Sequence, residues 1–140
     1  MSPRPAGRTS PCGRPEAKAR LAQAEKFLEV AKLVETETDT IPESASVSAS
    51  LAVLAGIAAS DAACCAALSR RCRGQDHKQA VGLLAAVSPG GPDASKNLDR
   101  LLDLKDSAHY GVIHVSSAEL KTALRQADSL VAFAKGVTTR

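Results

Sequence analysis

The chain is expected to be all-α, an antiparallel bundle of four to five helices behind a disordered N-terminal tail, and three observations point there. Two Phe, one Tyr and no Trp leave a core of Leu, Val, Ile and Ala, a composition that suits close-packed helices, while strong strand formers are scarce. Apolar positions recur at three-and-four spacing along most of the chain. Turn signals, TETDTIPES and SPGGP among them, separate these stretches. A length of 140 residues suits one domain.

Residues 1–15 are rich in Pro, Gly, Ser and Arg and are expected to be a disordered basic tail. The bundle is then assigned to residues 16–136, with a short tail over 137–140. The first helix starts near Pro15, where proline is favoured, and runs to about Thr36. Its apolar face is Leu21, Ala24, Phe27, Leu28, Ala31 and Val34. Pro42 blocks continuation, and the second helix covers about Ser44 to Arg71, with Gly74 as the stop. Asp76 caps a short third helix ending near Val87. Asp93 or Ser95 caps a fourth, which ends near Tyr110. VIHVS alternates and is expected to be extended. Ser116 and Glu119 form a capping box for the last helix, which stops at about Lys135 before Gly136.

The anomaly is Asp61. Val47, Leu51, Leu54, Ala58, Asp61, Cys65, Leu68 and Cys72 follow helical spacing, and one member is a carboxylate. A buried carboxylate is costly unless paired. The partners expected from the sequence are Arg70, Arg71, Arg73, His77, Lys105, His109, Tyr110 and His114.

Charge and cysteine spacing exclude several classes. The net charge of +3 equals the contribution of Arg4, Arg8 and Arg14, so residues 16–140 balance. Bulk electrostatics therefore gives the folded domain no support for non-specific nucleic-acid binding. Cys12, Cys64, Cys65 and Cys72 form no CxxC pair, and reduced thiols in a cytoplasmic protein are expected. No metal site is expected, because no His-x3-His or similar spacing is present. No cofactor is expected either, since no glycine-rich phosphate loop is present. Residues 48–68 are long enough to span a membrane, but they are Ser- and Ala-rich around Asp61, and no membrane association is expected.

Three segments carry a family resemblance. AGIAASDAACCAALSRRCRGQDHKQAVGLL, LDRLLDLKDSAHYG and the closing amphipathic helix resemble HEPN-superfamily domains, in particular small actinobacterial HEPN-like proteins of unassigned function. The likeness spans about residues 16 to 135. It implies a helical bundle that homodimerises and works through RNA, a nucleotide or a protein partner such as a nucleotidyltransferase-like antitoxin. In many HEPN domains an Arg and a His, with four to six residues between them, cleave RNA without metal. Here Lys105 stands at the Arg position and Tyr110 at the His position, with His109 one residue early, so the motif is degenerate. Phenol titrates far above neutrality, and Lys lacks the fork of Arg. Arg71 and His77 fit the same spacing at a different place. Three functions are compatible with these residues. One is a HEPN-like partner protein with weak or absent nuclease activity. A second is an active ribonuclease toxin using Lys105, His109 or Tyr110, and Asp61. The third is a structural or interaction bundle in which Asp61 only fixes helix register.

Overall fold

The long Ala-rich helix α2 (Glu43–Leu68) is the axis of the computed structural model, which describes residues 8–73, 77–105 and 115–140. Around it lie α1 (Arg14–Glu35), α3 (Lys78–Ala85), α4 (Gly91–Asp103) and α5 (Ser117–Thr138). Helices α1, α3, α4 and α5 all pack on α2, and α5 also lies against α1 and α4. The all-α bundle is as expected.

Residues Ala58 to Cys65 are all buried, so this part of α2 has no outward face. A helix that is apolar all round belongs inside. By length and composition alone α2 could cross a membrane, but 67% of its apolar window is covered by the bundle. The stripe proposed from spacing is corrected here. Val47 is 50% exposed and Leu51 and Leu54 are half-buried, so the stripe leaves the core towards the start of α2. Where nearly every residue is small and apolar, spacing does not mark the inner face.

Small side chains let backbones approach. Ala17, Ala24, Leu28 and Ala31 of α1 are buried, and Ser48 Oγ on α2 donates to the buried Ala31 carbonyl at 2.7 Å. Gly56 of α2 has no room for more: a Cβ there would meet Leu101 Cδ2 at 2.5 Å and Leu130 Cδ1 at 3.2 Å.

The largest departure from expectation is at the N-terminal side. Residues 8–13 are not a loose tail: β1 (Thr9–Pro11) pairs antiparallel with β2 (Arg70–Cys72), Thr9 opposite Cys72 and Pro11 opposite Arg70. Hydrogen bonds from Arg73 N–H to Arg8 O (2.6 Å) and from Cys12 N–H to Ser69 O (3.0 Å) extend this ribbon. Helix α2 therefore ends at Leu68, short of Arg71, because Ser69 takes a left-handed conformation (φ 59°) and turns the chain into β2.

Other boundaries differ for local reasons. Helix α4 begins at Gly91, before Asp93, with Pro92 in its first turn. Helix α3 begins at Lys78, and its expected cap Asp76 lies outside the described residues. In α5 the capping box forms as expected: Glu119 N–H donates to Ser116 Oγ (3.1 Å) and Ser116 N–H to Glu119 Oε1 (3.0 Å). The helix then passes through Gly136 to Thr138, where Arg14 donates to the Thr138 carbonyl at 2.8 Å. The end expected as a tail is thereby tied to α1.

Two glycines should respond oppositely to alanine. A Cβ on Gly91 would sit 2.6 Å from the Leu84 carbonyl oxygen, whereas Gly82, exposed inside α3, has nothing within 4 Å. Gly91→Ala is expected to cost roughly 2–3 kcal/mol and Gly82→Ala to gain up to about 1 kcal/mol, both read by urea unfolding.

Candidate functional site

Asp61 is paired, and its partner comes from α1. Arg20 Nε donates to Asp61 Oδ2 at 3.0 Å, and Arg20 Nη2 lies 2.9 Å from the same oxygen. Asp61 is buried, while the Arg20 side chain keeps 29% of its surface. Arg20 also donates to Gln23 Oε1 at 2.6 Å, which fixes the guanidinium from its outer side. Arg20 was not among the partners expected from the sequence. The signal was present: Arg20 stands three residues after Ala17 and four before Ala24, on the same small-residue stripe. Each of two consecutive helices thus carries one charge on a face of alanines, and the charges are opposite.

Two of the expected neighbours do reach this region. Arg71 in β2 and His77, the residue before α3, are both half-buried, and their positive charges favour the Asp61 carboxylate. Burial outweighs these charges and the Arg20 pair, and it pushes the Asp61 carboxyl above its ordinary value. Lys105 is half-buried just past the end of α4, and no ion pair joins it to Asp61 among the described residues. His109, Tyr110 and His114 lie outside the described residues.

The cysteines are corrected as well. Cys12 and Cys65 are bonded, with Cα atoms 5.2 Å apart, and Cys64 and Cys72 stay outside the disulfide. Cys12 was assigned to a tail, which hid it as a partner. Cys65 is one helical turn beyond Asp61, and Ser48–Ala31, Asp61–Arg20 and Cys65–Cys12 are three successive ties along the length of α2. Cys64, on the neighbouring face, has its thiol pushed up to about 12, by burial first and by the Asp61 charge next. Such a thiol is a poor nucleophile.

Both Arg20 nitrogens, Nε and Nη2, engage the same oxygen of Asp61, Oδ2. No cluster of three or more His, Cys, Asp or Glu that could hold a metal ion is found among the described residues. What faces outward is cationic: Arg8, Arg70 and Arg73 are exposed beside half-buried Arg71. Arg8, assigned to a tail, is in fact folded against a second group of arginines. No protein-family model matches this chain, and no curated protein matches its sequence.

Arg20→Met strands a buried carboxylate and is expected to cost roughly 2–4 kcal/mol at neutral pH. Asp61→Asn leaves a guanidinium that can reach water, at a cost of about 1 kcal/mol or less. Because the folded carboxyl titrates above the ordinary 3.8, the unfolded chain loses its proton first. Asp61 thus contributes stability below 3.8 that is lost as pH rises through its folded value. The Arg20→Met deficit should accordingly shrink in acid, as measured by unfolding at a series of pH values. Separately, thiol titration in denaturant should find two thiols before reduction and four after. Cys12→Ser should cost about 2–4 kcal/mol through the loop it opens.

Proposed function

We propose that the protein is a HEPN-like helical bundle that acts through a partner and does not itself cleave RNA. The observation that carries this reading is the state of Asp61. The carboxylate that a nuclease would use to steer a cation is spent on Arg20, at the joint between α1 and α2. Lys105, the cation at the family's Arg position, makes no ion pair with it. The degenerate order of Lys105, His109 and Tyr110 supports the same side, since proton transfer near neutrality needs an imidazole in the right place.

The partner in this reading is RNA, a nucleotide or a protein such as a nucleotidyltransferase-like antitoxin. A homodimer belongs to the same proposal. Leu33, Ile41 and Val47, exposed where α1 hands over to α2, supply apolar surface for it. A cytoplasmic location is also part of the proposal and stands in tension with the Cys12–Cys65 bond, which reducing compartments disfavour. Alkylation before cell lysis reads the state of those thiols directly.

The expected outcome with purified full-length protein is intact RNA on a denaturing gel and normal growth under strong expression. RNA cleavage and growth arrest, both removed by Lys105→Ala or His109→Ala, would replace this reading with the ribonuclease toxin.

A further inference from the structure

The arginines of the ribbon are uncompensated by any described side chain except Asp61. Residues 8–15 and 62–75 contain no Asp or Glu, and Asp76, the next acid along the chain, lies outside the described residues. Glu16, the next acid on one side, is occupied by the Gly13 N–H at 2.6 Å. Asp61 is occupied by Arg20. Among the described residues, no ion pair or side-chain hydrogen bond engages Arg8, Arg70, Arg71 or Arg73. Arg14 is different, since its guanidinium is used on the Thr138 and Arg140 carbonyls.

The ribbon also gives these charges a fixed arrangement. Side chains alternate along a strand, so Arg71 and Arg73 fall on one side and Arg70 on the other. Two residues along a strand span roughly 6.6–6.8 Å, close to the separation of successive phosphates in a nucleic-acid strand. Arg8 is held level with Arg73 by the hydrogen bond between their backbones. The Cys12–Cys65 bond fastens this strand to α2, so Arg8 is placed before any ligand arrives. All four cations are guanidiniums, whose planar fork matches phosphate oxygens. Among the described residues the phenylalanines are Phe27 and Phe133, and neither is on the ribbon.

We propose that the β1–β2 ribbon is a docking surface for the phosphodiester backbone of a nucleic acid, without base recognition. This deepens the partner-binding reading above by naming the partner's chemistry. The chemistry of the ribbon is the same whatever family the bundle belongs to.

The test is fluorescence anisotropy of the full-length protein with a labelled oligouridylate and a matching oligothymidylate. Three phosphate contacts, at Arg8, Arg71 and Arg73, predict a slope of log K against log salt of about −2.1, or about an 18-fold loss between roughly 50 and 200 mM salt. Arg71→Gln with Arg73→Gln should reduce the slope to about −0.7, so that the same salt step costs only about 2.6-fold. Lys121→Gln with Arg125→Gln removes equal charge from α5 and should leave the slope unchanged. Cys12→Ser keeps every charge but frees the strand carrying Arg8, and should lower the slope by about 0.7.

Similar affinity for both oligonucleotides supports backbone recognition. An equal loss in the α5 control overturns the proposal, because the binding would then report net charge. So does binding to phosphatidylserine vesicles or polyglutamate with none to either oligonucleotide. An unchanged slope in Cys12→Ser overturns the preorganising role of the bond. Cleavage of the oligouridylate would sink the non-nucleolytic reading while leaving the ribbon's role standing, so the two failures can be told apart.

Discussion

The Arg20–Asp61 pair is the constraint on which the rest of the arrangement depends. Helices α1 and α2 meet through alanines, and an alanine face slides over another with little change in buried area. A charge on each face removes that freedom. Moving α1 by one turn would separate Arg20 from Asp61 and leave a carboxylate in the core without a cation, among the more costly defects a small domain can carry. Only in the observed register does Ser48 reach the Ala31 carbonyl and Cys12 reach Cys65. The pair need not add much net stability to do this. Its effect is to make the alternatives worse, since it is the more buried partner, Asp61, that would be left without a cation.

Alanine packing explains the other tight points. With few large side chains, the interior reaches protein density by bringing backbones together. The places where this is most extreme are Gly56, against Leu101 and Leu130, and Gly91, against the end of α3. At Gly91 the neighbours are backbone carbonyl oxygens, which cannot rotate away as a leucine methyl can. The phenylalanines sit at the rim: Phe27 and Phe133 are only partly buried, so the centre is left to Ala, Val, Leu and Cys.

How much of this was legible in the sequence varied with the length of the signal. Long periodic segments announced α1, α4 and α5, and Ser116 with Glu119 announced the start of α5 to the residue. The ribbon was not legible, because strands of three residues are too short to show alternation, and the paired segments stand some sixty positions apart. Cys12 was masked by its Pro, Gly and Arg neighbours, a composition that usually means disorder. Arg20 was missed for a different reason. It sits in the charged stretch EAKARLAQAEK, where one more cation draws no notice unless its helical phase is taken against Ala17 and Ala24. Asp61 stood out because its surroundings were apolar, and Arg20 did not because its surroundings were charged.

Gathering arginines on one ribbon has an energetic consequence for folding. Like charges repel at this range, and the only described carboxylate that offsets Arg71 is Asp61, already shared with Arg20. The ribbon therefore assembles against its own electrostatics, and hydrogen bonding over a few residues is a small return. The covalent tie from Cys12 to Cys65 and the backbone bonds at both ends hold it closed. An anion bound across Arg8, Arg71 and Arg73 would relieve the same repulsion, and a ligand that binds only the folded form stabilises it by mass action. Partner binding and closure of the ribbon are then one equilibrium seen from two sides. Opening the disulfide should weaken binding, and bound polyanion should protect the disulfide from reductant. The buried pair links both to the bundle, because Asp61 sets the register that brings Cys65 beneath Cys12.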